Sequence, residues 1–342
     1  MSHEPHSDNE YFGNVINFTF SESDNDSSLT VLYHGMRVHI DISLKRLAQS
    51  PSVSCQYKEY LDIANQPNNT GDRTIEDFFL WILRECAPQL SKLPLPVTPS
   101  NSNTASLNGY INAPTQHFKL CANQRNELEL ELIENARRSP KFGVRIAEHL
   151  ASPWLSFKPS DVTICAESYE EAISSVPGRV RVSGSDSMFF KLYRFCDSKL
   201  AERELEAYKK ISLASLPDSR ISRLHGLVQE NGRLYGLLLM PYIEATPLSH
   251  VFMHGTSEFT RQKWADQITS TMSQLHEAGI LWGDVKSDNV LIDTSQDAWI
   301  IDFGGGNTDG WVDPELAGTK EGDLQGLHKI IEFLLGVPEA TG

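Results

Sequence analysis

LHEAGILWGDVKSDNVLIDTSQDAWIIDFGGG, residues 275–306, holds two short polar motifs separated by an apolar hairpin. Asp284, Lys286 and Asn289 stand in the spacing D-x-K-x-x-N, and Asp302-Phe303-Gly304 follows after twelve intervening residues, 290–301. Val290, Leu291 and Ile292 read as one strand and Ala298-Trp299-Ile300-Ile301 as its return, so the hairpin brings Asp302 back beside Asn289. A lone Asp-Phe-Gly is common by chance. Two motifs at this separation, with a hairpin between them, are not.

Transfer of a phosphoryl group from ATP needs little covalent help from a protein. It needs a carboxylate to orient the attacking hydroxyl, cations to neutralise the phosphates, and ligands for those cations. The segment supplies all three. Asp284 suits the orienting and proton-accepting role, Lys286 a place beside the transferring phosphate, and Asn289 with Asp302 the binding of Mg²⁺ through hard oxygen atoms.

The runs LWGDVKSDNVLID, AWIIDFGGG and GWVDPELAGTKEGDLQGL resemble the protein-kinase-like superfamily, and more narrowly the kinase-like proteins of filamentous fungi, over about residues 160–335. The resemblance implies an α+β, bilobal protein-kinase-like fold with a shortened C-lobe, preceded by a mixed N-terminal region. It implies that Lys191 in SMFFKLYR is the third-strand lysine, held toward the α and β phosphates by Glu204 in LAERELEAYKKI, with Glu206 as the other choice. LYGLLLMPYIEATPL resembles the last N-lobe strand entering the hinge, where backbone near Met240, Pro241, Tyr242 and Ile243 would meet adenine. Pro241 has no N–H and could offer only its carbonyl. Asp313-Pro314-Glu315 resembles the end of the activation loop, and Asp323 the buried aspartate that braces the catalytic loop.

The sequence departs from the family in three places. Trp282-Gly283-Asp284 stands where His-Arg-Asp is usual, so no arginine pairs with a phosphorylated loop, and activation by that route is not expected. The glycine-rich loop is reduced to Pro177-Gly178 and Ser183-Gly184-Ser185. The central C-lobe helix is followed closely by Gly342, which leaves the apolar Ile330, Ile331, Phe333, Leu334 and Leu335 in need of cover. The expected cover is the N-terminal helix around Phe78 to Leu83, and deletion of residues 1–115 is then expected to give an insoluble product.

The implied function is an ATP- and Mg²⁺-dependent phosphotransferase acting on a protein Ser/Thr hydroxyl. A small-molecule kinase of the aminoglycoside-phosphotransferase type and a kinase-fold scaffold with little or no turnover are the alternatives. The loss of the glycine-rich loop favours a scaffold. The joint presence of Lys191, Asp284, Asn289 and Asp302 favours an enzyme, since a scaffold has no need of four chemically matched groups.

A chain of 342 residues exceeds one ordinary domain. Residues 1–115 read as an N-terminal region: a mobile arm to about residue 30, a hairpin over Leu29 to Ile42 that turns at His34-Gly35, a helix from Thr74 that ends at Pro88, and a Pro/Ser/Asn-rich linker over 91–116. Residues 116–159 read as a helical connector, with a helix over 120–138, and 160–342 as the kinase-like domain. His34 and His39, near Asp41, have no further ligand at sensible metal-binding spacing and take no role. A net charge of -15, from 45 acidic and 30 basic residues, argues against nucleic acid or an anionic membrane as partner. The partners expected are ATP and a protein or small-molecule acceptor. Five scattered cysteines suggest neither a disulfide framework nor a metal site, and the polar N-terminus carries no secretory signal, so a cytoplasmic or nuclear location is expected.

Overall fold

The computed structural model describes residues 13–21, 24–65, 73–94, 105–134, 142–217, 219–306, 308 and 310–336. The chain forms two compact units, one of Met1–Ser139 with Thr163–Pro177, the other of Pro140–Val162 with Gly178–Gly342.

In the first unit β1 (Asn14–Phe20), β2 (Asp26–Tyr33) and β3 (Met36–Ser43) make a meander. His34 and Gly35 have φ of 45° and 76°, the positive values that let a two-residue turn follow the right-handed twist of its strands. Then come α1 (Leu44–Leu47), α2 (Pro51–Asn65), α3 (Ile75–Leu90), β4 (Ala105–Ser106) and α4 (Leu107–Ile111). β5 (Thr115–Ala122) runs parallel to β3, and β6 (Leu128–Leu132) folds back on β5. Val38, Ile40 and Ile42 of β3 and Phe118 and Leu120 of β5 share one core with Phe78, Ile82 and Leu83 of α3.

Several expectations are corrected here. Residues 14–20 and 26–33 are strands because each has a neighbour to pair with, whereas the first twelve residues of the expected arm lie outside those described. Within the expected helix over 120–138, the described residues 120–132 form a hairpin, and 135–138 lie outside those described. Leu128 and Leu130 alternate with glutamates at period two, and the Asn123 side chain closes the turn by accepting from the backbone of Arg125 and Glu127. α3 continues past Pro88 to Leu90, since in a last turn the missing N–H costs a single bond. Residues 95–104 of the expected linker lie outside those described, and the residues after them form β4 and α4. Phe78 and Leu83, expected as cover for the C-terminal helix, are 1% and 2% exposed and belong to their own unit's core. The unit boundaries also differ from 115 and 159, because the chain crosses between units more than once.

It enters the second unit with α5 (Glu148–Ala151) and β7 (Leu155–Phe157), supplies β8 (Val162–Ile164), which pairs with β4, and α6 (Tyr169–Ser174), and from Gly178 stays in the second unit. There β9 (Arg179–Val182), β10 (Met188–Leu192), α7 (Ser198–Leu213), β11 (Arg223–Glu230) and β12 (Arg233–Met240) build an upper lobe with sheet order β9-β10-β12-β11-β7. Beyond Met240 lie β13 (Ala245–Pro247), α8 (Glu258–Glu277), β14 (Val290–Asp293), β15 (Ala298–Ile300) and α9 (Lys320–Leu335), a mostly helical lobe with the small sheet β13-β14-β15. This is the bilobal α+β kinase-like fold. Leu205, Tyr208 and Leu237 above and Trp264, Ile268, Trp282 and Ile330 below belong to one continuous core. Among the described residues no helix is long and apolar enough to cross a membrane.

Candidate active site

The hairpin expected between the two motifs is present, with Val290 opposite Ile300 and Ile292 opposite Ala298. Ile301 N donates to Asn289 O at 3.1 Å, which fixes Asp302 next to Asn289. Asp302 itself has φ of 64°, so the chain turns sharply there and Phe303 goes into the core, edge-on to Tyr208 at 5.7 Å. Trp282 caps the arrangement from below by donating its indole N–H to Ile301 O at 2.9 Å.

Asp284 is anchored from several sides. Asn289 Nδ2 donates to its backbone oxygen at 2.8 Å and to Oδ2 at 2.9 Å, and Lys286 Nζ lies 2.9 Å from Oδ2. Asp323, 2% exposed at the start of α9, accepts from Trp282 N and Gly283 N, both at 2.8 Å, and pairs with His276 Nε2 at 2.9 Å. It therefore holds the backbone just before Asp284, as the resemblance implied. Gly283 has φ of 81°, and a Cβ there would lie 3.2 Å from Gly305 Cα. The positive φ and this close approach both favour glycine here.

In the upper lobe the alternation of β10 turns Phe189 and Lys191 to one side while Met188 and Phe190 enter the core. Lys191 Nζ lies 3.0 Å from the Glu204 carboxylate and 2.7 Å from Asp302 Oδ1. Glu204 is wholly buried and also accepts from Tyr193 OH at 2.8 Å, whereas Glu206 is exposed. Of the two glutamates, then, Glu204 meets the lysine. Burial by itself would lower the pKa of Lys191, but the carboxylates of Glu204 and Asp302 outweigh it and raise the value. Burial pushes the Glu204 carboxyl up, against the pull of Lys191. Lys191 thus bridges the carboxyl groups of Glu204 and Asp302.

Between the lobes lies a cavity of about 190 Å³. Phe189, Leu239, Leu291 and Ile301 make it apolar, Lys191, Glu204 and Asp302 close its polar end, and Ser222, Pro241 and Ile243 complete it. Of the expected hinge residues Pro241 and Ile243 line it, while Met240 and Tyr242 do not. Tyr242 instead lies under the Arg179 guanidinium, 4.8 Å from the ring centre. The 183–187 turn between β9 and β10 is tight: Ser185 uses both its N–H and its hydroxyl on Val182 O. Phe189, Leu239, Leu291 and Ser222 were not expected from the sequence. Phe189 was within reach, being two residues from Lys191 on a strand.

The donor set fits Mg²⁺. Asn289 spends its amide hydrogens on Asp284, which leaves Oδ1 for a cation, and Asp302 adds a carboxylate beside it. Among the described residues no group of three or more His, Cys, Asp or Glu side chains is arranged to hold a metal unaided. Magnesium is commonly held by one or two protein oxygens together with substrate phosphates, so a two-ligand site suits it.

Residues 193–308, about a third of the chain, match the family model described as protein kinase domain. Among curated proteins the chain is 25% identical over 121 residues to CBL-interacting protein kinase 25 of Oryza sativa subsp. japonica, covering 33% of this chain and 22% of that protein. It is 27% identical over 130 residues to Protein kinase 2 of Dictyostelium discoideum, covering 37% and 27%. It is also 27% identical over 131 residues to a putative ribosomal protein S6 kinase alpha-1 of Caenorhabditis elegans, covering 36% and 16%. The chain thus spans roughly a quarter or less of these relatives' lengths. They come from a plant, an amoeba and a worm, and lend no support to the narrower fungal resemblance.

Proposed function

We propose that the chain is an ATP- and Mg²⁺-dependent phosphotransferase whose acceptor is a Ser/Thr hydroxyl on a protein, working inside the cell. One observation carries the reading: Lys191 bridges Glu204 and Asp302 at one mouth, where Asn289 in turn holds Asp284. These groups come from β10, α7, the 284–289 loop and the end of the 290–301 hairpin, and no folding requirement calls for their meeting. Lys191 would position the α and β phosphates, with Glu204 keeping its ammonium in place. Asn289 Oδ1 and Asp302 would hold magnesium, which when bound neutralises phosphate charge. Asp284 would orient the acceptor hydroxyl and take its proton, and Lys286 would sit beside the transferring group. The apolar cavity would take the base, with Ile243 and the Pro241 carbonyl at its edge.

A scaffold reading draws on the tight 183–187 turn, which spends backbone groups that would otherwise cover phosphates, and on the small cavity. Thermal unfolding with ATP, with and without Mg²⁺, separates the two. Ligand at a hundred times its dissociation constant should stabilise by about 2.7 kcal/mol. A magnesium-dependent shift that Asp302→Ala abolishes is the expected result. No shift at millimolar nucleotide would leave the scaffold.

A further inference from the structure

Arg179 is a second cation on the face of the upper sheet that carries Lys191. It is paired with Phe189 across β9 and β10, and Lys191 follows Phe189 by two residues, so Arg179 and Lys191 are diagonal neighbours on one face. Such neighbours stand about 7–8 Å apart, within reach of long side chains. The burial pattern agrees: Val180 and Met188 are buried on the opposite face, while Arg179 and Phe189 are exposed on this one. Arg181 shares the face but stands two residues farther from Lys191.

Among the described residues the Arg179 guanidinium has no hydrogen bond and no ion pair. It lies over the Tyr242 ring, 4.8 Å from its centre, and Tyr242 stands between Pro241 and Ile243, both in the cavity wall. Phe189, the cross-strand partner of Arg179, lines the cavity as well. The side chain therefore runs from one wall of the cavity to another with its N–H donors unspent. Lys191, by contrast, is divided between Glu204 and Asp302. An exposed guanidinium over a ring is held there by a preference of only about two- to fivefold. A hydrogen bond to a charged group is worth about ten- to a hundredfold, so phosphate oxygens within reach win over the ring.

We propose that Arg179 is a ligand of the nucleotide's phosphates. Its guanidinium leaves the Tyr242 ring and donates to phosphate oxygens of a bound nucleoside triphosphate, beside Lys191; this rests on the phosphotransferase reading above. A side chain then does what the backbone amides of a glycine-rich loop would do, in a sequence that keeps only Pro177-Gly178 and Ser183-Gly184-Ser185 of such a loop.

Calorimetric titration of the full chain with Mg·ATP and with adenosine tests this, in wild type, Arg179→Gln, Arg179→Lys, Arg181→Gln and Tyr242→Ala. Arg179 is exposed, so its replacement does not endanger the fold. Arg179→Gln should weaken Mg·ATP binding about tenfold, with Arg179→Lys in between, because a lysine keeps the charge and loses the fork. Arg181→Gln should stay within about twofold of wild type, and Tyr242→Ala should not weaken binding, since the ring is left behind. Adenosine has no phosphates and should bind wild type and Arg179→Gln equally, whether tightly or too weakly to detect. Unchanged Mg·ATP binding in Arg179→Gln overturns the inference and leaves the phosphotransferase reading standing. So does an equal loss in Arg181→Gln, which would mark long-range charge, or an equal loss in Tyr242→Ala or for adenosine, which would mark a role at the cavity wall. No binding of Mg·ATP to the wild type overturns both.

Discussion

Glu204 has no exposed surface, and its two oxygens are taken up by Lys191 and Tyr193. Glu204→Ala would leave an ammonium and a phenol without their partner, a loss of about 3–5 kcal/mol for a broken buried pair. The chemical denaturation midpoint reads this directly. Glu204→Gln keeps the shape and tests the charge. A carboxyl whose folded pKa is raised stabilises fully below its ordinary value of 4.5, and that contribution is lost as pH rises through the folded value. Wild type should therefore lose stability relative to the Gln variant as pH rises above 4.5, and parallel curves would refute the raised value. Phe189 raises a different question, because it is 42% exposed and lines the cavity together with Leu291 and Ile301. Aromatic stacking contributes about 0.5–1.5 kcal/mol beyond area burial, so Phe189→Ala should weaken ATP binding by roughly two- to tenfold in calorimetry. Unchanged or tighter binding would mean that the ring merely narrows the pocket. Asp284, Asn289 and Asp302 stood out in the sequence because each sits in a short motif of fixed spacing, whereas Lys191 was placed only by the family resemblance. Arg179 was legible in neither way, since only the register of β9 against β10 sets it beside Phe189.

Elements were legible where the deciding interactions are local. The β2–β3 hairpin follows from strand alternation and a turn at His34-Gly35, and α3 from its capping box at Thr74 and Asp77. α2 was not read from the sequence, although Ser50 Oγ accepts from Val53 N at 3.2 Å, Pro51 stands in the first turn, and Val53, Tyr57, Tyr60 and Leu61 follow on one face. The stretch over 120–134 misled because its Glu, Leu and Arg favour a helix, and pairing with neighbouring strands makes its described residues β5 and β6. β12 shows how tightly one element sets the site. Gly236 faces the carbonyl oxygen of Lys191, and a Cβ there would run into that oxygen and the Phe190 ring. Gly236→Ala should cost about 1–3 kcal/mol through forced displacement of β10. A lower urea midpoint at unchanged slope is the expected signature, with weaker nucleotide binding because Lys191 rides on the strand that must move.

At the scale of the whole molecule, the boundary between units was hidden because neither is continuous in sequence: Thr163–Pro177 returns to the first unit after Pro140–Val162 has begun the second. No composition shift marks such a crossing, since it is fixed by contacts between segments far apart in the chain. The deletion of residues 1–115 keeps its expected outcome for a new reason. It removes β3, and with it the strand to which β5 is paired, leaving Phe118 and Leu120 without the core that buries them. Each unit has its own core, one around Val38, Ile40 and Phe78, the other around Leu205, Trp264 and Trp282. Chains built this way commonly depart from two-state unfolding. Calorimetry should resolve two transitions, and only the one belonging to the unit with Lys191 and Asp302 should respond to Mg·ATP. Stabilisation by about 2.7 kcal/mol in a unit of this size corresponds to roughly 5–10 °C. If both transitions moved together, the units would unfold as one cooperative body. If only the other moved, nucleotide would be binding outside the site built around Lys191, and the assignment of that lysine would fall with it.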